Sequence, residues 1–275
     1  MVMKRGHNKV MNNISVNDLK EMKVELTRFV MAYRFALDEV NTKINILKDE
    51  FNYIHEYNPI EHVNSRVKSP KSILKKMQRK NIGFSLEDIK NNIRDIAGVR
   101  ITCSFVSDIY KISDMLKNQK DIKVIDYKDY IQNPKPNGYR SLHLIIEIPI
   151  FMSDREELIP VEIQIRTIAM DFWASLEHKI FYKYNKDVPH SLVSELKNAA
   201  TVAAELDLKM ERLNKEISIF KEKDREENEN LLPVINGEQL AIPLQLLDTM
   251  LRWQAPSKIW MVPVTFFVEI LSLMP

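Results

Sequence analysis

The chain has 275 residues, of which 45% are hydrophobic and 28% charged, enough apolar material for one large domain or two small ones. Its 40 Lys and Arg nearly balance 38 Asp and Glu, so no global field recruits nucleic acid or an anionic membrane, and any basic site must be local. The single cysteine, Cys103, excludes an internal disulfide framework and a Cys-rich zinc site, and the five glycines are too scattered for a Walker A or G-x-G-x-x-G turn.

Residues 1–14 form a basic segment without an apolar h-region, so no secretory signal is expected, and a reducing compartment, the cytoplasm, is the expected location. From Ser15 to about Tyr57 the residues Leu19, Met22, Leu26, Phe29, Tyr33, Leu37, Val40, Ile44, Leu47 and Phe51 recur every three or four positions. That spacing predicts one long amphipathic helix, closed by Asn58-Pro59. Unbroken, it would run about 60 Å at 1.5 Å per residue, longer than a small core covers, so a partner helix or subunit is expected.

Ser69-Pro70 predicts an N-cap followed by proline at the first helical position, opening a short helix in which Ile73, Leu74 and Met77 pack inward. Its cations, with Arg66 and Lys68 just before it and Lys76 and Arg79 on one face, read either as a solvated basic helix or as a clamp for a polyphosphate. A second capped helix is expected over Ser85 to Ile93. Arg94-Asp95-Ile96-Ala97-Gly98 then turns into a strand, Val99 to Val106, with Arg100 on one face and Asp95 at its mouth. An aspartate there is either turn chemistry or a metal-binding carboxylate.

A helix over Ser107 to Lys117 and a strand within Ile122 to Ile131 lead to the loop Asn133-Pro134-Lys135-Pro136-Asn137-Gly138-Tyr139-Arg140. Its prolines stiffen the backbone and its Asn-Gly makes a turn. The loop is either a plain connection or a platform offering a ring for stacking and cations for phosphates. Ser141 to Ile148 resumes as a strand carrying His143, whose lone position there favours a structural role.

The clearest pattern is Val161-Glu162-Ile163-Gln164-Ile165-Arg166-Thr167, a strict alternation that puts the apolar residues on one face and Glu162, Gln164 and Arg166 on the other. The polar face reads as a solvated sheet surface or as the floor of a phosphate-handling site. Ile168 to Lys183 reads as a helix bearing Asp171, Trp173, Glu177 and His178. Ser191 to about Lys223 reads as a second long helix with Leu192, Leu196, Ala199, Ala203, Leu206, Met210, Leu213 and Ile217 on one stripe. From Leu231 the composition turns apolar and proline-rich. That tail, taken as residues 226–275, reads as disordered or appended; its uncharged run is too short to span a bilayer, so no membrane partner is inferred.

Together, Arg66-x-Lys68, Arg94-Asp95-Ile96-Ala97-Gly98-Val99-Arg100, Asn137-Gly138-Tyr139-Arg140-Ser141-x-His143, Val161 to Thr167 and Trp173-x-x-x-Glu177-His178 resemble the synthetase domain of the alarmone synthetases of the RelA/SpoT family. With that domain alone, over residues 15–225, the chain looks like a small alarmone synthetase. The resemblance implies an α+β fold, a nucleotidyltransferase-like mixed sheet flanked by helices with long helices at both ends, and a homotetramer built through those helices. It implies transfer of the β,γ-diphosphate of ATP to the 3′-hydroxyl of GDP or GTP, with Mg²⁺ as cofactor.

Carried over by position, the resemblance makes Asp95 a metal ligand and Glu162 the catalytic carboxylate and second metal ligand. Arg66, Lys68, Ser72, Lys76, Arg79 and Arg100 fall on the ATP side. Lys128, Lys135, Asn137, Gly138, Tyr139, His143, Gln164 and Asp171 fall on the guanine-nucleotide side. Many relatives carry Asn where this chain has Asp171; the carboxylate keeps the acceptors for guanine's two adjacent donors and loses the amide donor. No His-Asp motif of a hydrolase domain is found, so synthesis of the alarmone is expected and its hydrolysis is not. The competing expectation is a non-catalytic protein binding guanine nucleotides or single-stranded RNA in a basic, aromatic cleft. The carboxylate pair argues against it, since an RNA groove gains nothing from buried acids. An enzyme adding AMP to RNA is disfavoured by the absence of Gly-Ser followed by paired Asp.

Overall fold

The computed structural model describes residues 16–55, 57–83, 85–181 and 189–230. The chain divides into two units, Met1–Lys221 and Glu222–Pro275, and the fold described here is that of the first. The residues of the apolar tail from Leu231 onward lie outside the described residues.

Among the described residues, six helices and five strands follow one another as α1 (Val16–Ile54), β1 (Ile60–Val67), α2 (Pro70–Lys80), α3 (Leu86–Asn92), β2 (Ala97–Cys103), α4 (Val106–Lys117), β3 (Lys123–Asp129), β4 (Leu142–Phe151), β5 (Glu156–Thr167), α5 (Ile168–Phe181) and α6 (His190–Asn230). The sheet order is β1-β2-β5-β4-β3, with β2 and β5 parallel and the other neighbours antiparallel. This is the expected mixed sheet of an α+β fold. No helix among the described residues is long and apolar enough to cross a membrane.

Local chemistry sets the boundaries. Ser69 accepts from the Ser72 amide at the start of α2, Pro70 needs no donor there, and Asn81 closes the helix in the left-handed region. Ser85 and Asp88 cap α3 reciprocally. The alternation in β5 buries Val161, Ile163 and Ile165, which register with Ile146, Leu144 and Leu142 of β4; β2 adds Val99 beside Ile163 and Ile101 beside Ile165. This apolar face forms one core with Tyr33, Val40 and Ile44 of α1 and Ile109, Ile112 and Leu116 of α4. The opposite face of the sheet is left to polar side chains.

The long helices depart from their predicted stripes. In α1 burial begins at Ala32 and Tyr33, while Met22 and Leu26 stay exposed. In α6 the side turned inward carries Ala200 and Asp207, with Leu196 and Ala203 half-buried, whereas Leu192, Leu206, Met210, Leu213 and Ile217 are exposed. Among the described residues, Leu196 and Ala203 of the predicted stripe turn inward and most of its larger apolar residues do not.

Asp207 is the reason α6 docks where it does. It accepts from the Thr167 hydroxyl at 2.6 Å, and Thr167 in turn caps α5 by accepting from the Met170 amide at 3.1 Å. Burial pushes the Asp207 carboxyl up to about 6, opposed by the Thr167 hydroxyl and the Arg140 charge. An acid whose folded value is raised is most favourable when protonated, so its contribution is full below the ordinary aspartate range and is lost as pH rises through about 6. Asp207→Asn keeps an acceptor for Thr167 without the buried charge. We expect the variant to match wild type in urea unfolding near pH 4 and to exceed it at pH 8 by up to ~2–3 kcal/mol, two pKa units at ~1.4 kcal/mol each. An equal difference at both pH values would overturn the assignment.

Candidate active site

The sheet's register builds the site. One row across its polar face runs Arg66, Gly98, Glu162, Ile145, Asp126; the next runs Asn64, Arg100, Gln164, His143, Lys128. Residues in register share a face, so Arg66, Arg100, Glu162, Gln164 and His143 stand on one floor although the chain separates them by up to a hundred positions. A cleft there is lined by Arg66, Lys68, Asp95, Gly98, Arg100, Glu162 and Gln164. Gly98 lies between Arg66 and Glu162, and a Cβ added to it would meet nothing nearer than a backbone oxygen at 3.9 Å. Its missing side chain leaves the cleft floor open between a cation and a carboxylate.

Asp95, at the mouth of β2, receives the ammonium groups of Lys68 at 2.5 Å and Lys76 at 2.6 Å, both on Oδ2. Burial pushes the Asp95 carboxyl up, but the two lysines outweigh it and hold the group below the ordinary range. Its Oδ1 is buried without a hydrogen-bond partner. An orphaned carboxylate oxygen in a cleft that also holds Glu162 is the donor chemistry of a hard divalent cation. Among the described residues no third His, Cys, Asp or Glu completes a set of three around this pair.

Glu162 has a neighbour at each carboxylate oxygen. Its Oε1 lies 3.4 Å from His143 Nδ1, and its Oε2 accepts from Gln164 Nε2 at 3.0 Å. Burial pushes its carboxyl up; the His143 donor pulls it down and Asp95 pushes it up again, with a net position below the ordinary range. His143, read from the sequence as more in keeping with a structural strand residue, therefore faces the central carboxylate.

The loop before β4 meets the same sheet face through Tyr139, whose hydroxyl lies 2.8 Å from His143 Nε2. Gly138 takes φ +90°, its amide donates to Lys135 O at 2.8 Å, and Asn137 Oδ1 accepts from the Tyr139 amide at 3.2 Å. The stiff turn holds Lys135 Nζ 4.6 Å from the ring centroids of both Tyr130 and Tyr139. Asn137 Nδ2 also donates to Glu177 of α5 at 3.4 Å. A Cβ at Gly138 would fall 2.5 Å from the Ala200 Cβ of α6, so Gly138→Ala combines a strained backbone with a clash. We expect it to cost about 2–4 kcal/mol and to weaken GDP binding more than ATP binding. Thermal melts and calorimetry check this, and unchanged GDP affinity would show that the loop does not form that subsite.

Asp171, in the first turn of α5, accepts on Oδ1 from Arg166 at 3.1 Å and forms an ion pair there with Arg100 at 3.3 Å. A residue placed on the ATP side thus touches one placed on the guanine side. Burial and the neighbouring Arg166 charge lower the Arg100 guanidinium from its ordinary range, with Asp171 working the other way. Arg100 Nε is buried without a partner. Lys128 pairs with Asp126 at 2.6 Å at the sheet edge. Ser72 sits in the α2 cap, its hydroxyl 2.9 Å from that of Ser69. Arg79 lies in the last turn of α2, exposed.

The residue that site reasoning from the sequence passed over is Arg166. It belongs to the polar face read as a solvated surface or a phosphate-handling floor but was assigned to neither nucleotide, yet it is 4% exposed and donates to Ser141, Asp171, Tyr139 and Gln164. The available signal was its place on the Glu162 face two residues beyond Gln164.

Residues 65–187 match the family model described as the region found in RelA / SpoT proteins. The chain is 54% identical over 202 residues to the GTP pyrophosphokinase YwaC of Bacillus subtilis, covering 74% of this chain and 96% of that protein. It is 41% identical over 190 residues to the GTP pyrophosphokinase YjbM of the same organism, covering 69% and 89%. Among solved structures it is similar to the small alarmone synthetase 2 of Bacillus subtilis, with a TM-score of 0.64 at 54% identity over 70% of this chain and 99% of that one. It is also similar to the small alarmone synthetase 1 of that organism bound to its product pppGpp, with a TM-score of 0.65 at 40% identity over 70% and 98%. By sequence and by fold, the chain belongs to the RelA/SpoT family, where it groups with the small alarmone synthetases.

Proposed function

We propose that this protein is a GTP pyrophosphokinase that transfers the β,γ-diphosphate of ATP to the 3′-hydroxyl of GDP or GTP, giving ppGpp or pppGpp and AMP. The observation that carries this reading is the pair Asp95 and Glu162 opening into one cleft among Arg66, Lys68 and Arg100. The 3′-oxygen bonds to the β-phosphorus, the bond from that phosphorus to the α,β-bridging oxygen breaks, and the proton of the 3′-hydroxyl passes to Glu162. Charge then grows on the phosphoryl oxygens and on AMP, where fixed cations contribute most.

We assign Arg66, Lys68, Ser72, Lys76, Arg79 and Arg100 to ATP, and Lys128, Lys135, Asn137, Gly138, Tyr139, His143, Gln164 and Asp171 to the guanine nucleotide. Tyr139 offers a ring for stacking, and Asp171 offers acceptors for the paired donors of guanine. Asp95 and Glu162 would hold Mg²⁺, which supplies charge neutralisation on the transferred phosphates when bound; the orphaned Asp95 Oδ1 supports that role. Residues 15–225 form the synthetase domain in this reading. The exposed apolar residues of α1 and α6, Met22, Leu26, Leu206, Met210 and Ile217 among them, support assembly into a homotetramer through those helices. We assign the enzyme to the cytoplasm, where ATP and GTP are at hand.

The test is incubation with labelled ATP, Mg²⁺ and GDP or GTP, followed by chromatography. AMP and a 3′-diphosphorylated guanine nucleotide are the expected products. Their absence from folded protein would reject the reading.

A further inference from the structure

Glu162 sits in a closed circuit of polar contacts, four of them hydrogen bonds. From its Oε2 the path runs to Gln164 Nε2 at 3.0 Å, then from Gln164 Oε1 to Arg166 Nη2 at 2.9 Å. The same Nη2 reaches the Tyr139 hydroxyl at 2.6 Å, that hydroxyl lies 2.8 Å from His143 Nε2, and His143 Nδ1 returns to Glu162 Oε1 at 3.4 Å. Arg166 is the far point of the circuit, buried and held by Asp171 at 3.1 Å and Ser141 at 3.4 Å.

The chemistry of the two ends favours one pattern of donors and acceptors between them when His143 is neutral. A guanidinium only donates and a carboxylate only accepts. On one arm Arg166 donates to Gln164 Oε1, which leaves the Gln164 amide nitrogen to donate to Glu162. On the other, Arg166 donates to the Tyr139 oxygen, whose own proton goes to His143 Nε2, so Nδ1 carries the remaining imidazole proton and donates to Glu162. Without Arg166 only the carboxylate itself still favours this arrangement, and a rotated Gln164 amide or the other His143 tautomer, each turning an acceptor toward Glu162, becomes less unfavourable.

We propose that Arg166 is a positioning residue for the reaction: it orients Gln164, Tyr139 and His143 so that both oxygens of Glu162 receive a donor and the carboxylate stays fixed under the incoming 3′-hydroxyl. The catalytic part of this claim rests on the pyrophosphokinase reading, whereas the tautomer it sets does not. Lysine cannot take the place of arginine here, because one ammonium cannot span Gln164, Tyr139, Asp171 and Ser141 at once.

The test combines kinetics with long-range ¹H–¹⁵N NMR of the nucleotide-free full chain, the His143 signals being assigned with His143→Gln. Wild type is expected to show the Nδ1–H tautomer. Arg166→Met and Arg166→Lys are expected to show a tautomer mixture and to lower kcat about 10- to 100-fold, the range for residues that orient a reactive ligand, with KM for ATP within about threefold. Should both fail to fold, Tyr139→Phe and Gln164→Leu each cut one arm of the circuit. Each is then expected to lower kcat, Tyr139→Phe with little change in KM for GDP because the ring remains. Wild-type kcat in the folded variants, or an unchanged His143 tautomer in Arg166→Met, would overturn the proposal. A wild-type protein that makes no AMP but loses the tautomer in Arg166→Met would instead reject the pyrophosphokinase reading while supporting the orienting role.

Discussion

Replacing Glu162 by glutamine is expected to lower AMP release by about 10²- to 10⁴-fold, the range for loss of a positioned general base, while ATP and GDP still bind within about threefold. The two side chains have the same shape, so the core beneath β5 is untouched. What changes is the donor and acceptor count. Glu162 takes donors on both oxygens, from His143 on one and Gln164 on the other. Glutamine offers one acceptor and one NH₂, so one neighbour must face a donor, and no basic atom remains for the hydroxyl proton. The net lowering of its carboxyl, burial raising it and His143 more than offsetting that with Gln164, keeps Glu162 ionised at neutral pH. Rapid-quench turnover and calorimetry of nucleotide binding, run on one preparation, separate chemistry from affinity. Turnover within tenfold of wild type would remove Glu162 as the base, and a collapse of the melting temperature would make it a structural residue instead.

Much of this site was legible because it uses local rules. Ser69-Pro70 and Ser85 to Asp88 cap helices by bonds within three residues, and the period of two in Val161 to Thr167 names both faces of β5 before any partner strand is known. Strand β1 was not legible. It is an edge strand on which only Ile60 is buried, so it carries no apolar period, and Arg66 read as a prelude to α2 rather than as part of the sheet. The fate of Arg166 was hidden for a related reason. Alternation puts it beside Gln164 but cannot say that Tyr139 and Asp171, each brought by a separate element, engage that end of the face. In α6 the stripe was read by apolarity, whereas the helix docks through Ala200 against Gly138 and Asp207 against Thr167. Small size and one hydrogen bond decided that contact, and neither leaves a hydrophobic period.

Asp95→Asn is expected to abolish turnover as fully as the Glu162 change, by a different route. An asparagine at this position has one oxygen and one NH₂ for two unlike environments. On one side stand the ammonium groups of Lys68 and Lys76, which both donate to Oδ2; on the other lies the buried space at Oδ1, where no protein group donates. Turning the NH₂ to the lysines sets donors against donors, so the oxygen stays with them and the NH₂ takes the place meant for a cation. Loss of the carboxylate charge also leaves two half-buried ammonium groups without a counter-charge, a cost of about 1–3 kcal/mol after solvent screening. Because Asp95 is held below the ordinary range, its wild-type contribution is present above that range and lost as pH falls through the folded value, so the stability gap should close in acid. For activity we expect a fall of at least about 10²-fold, of the order seen when a transition-state charge contact is removed. The deciding measurement is turnover against Mg²⁺ concentration. Wild type should saturate, and the variant should stay flat at every concentration. An Asp95→Asn enzyme that saturates at the wild-type Mg²⁺ midpoint would show that this carboxylate serves only to hold Lys68 and Lys76, and that Glu162 holds the metal without it.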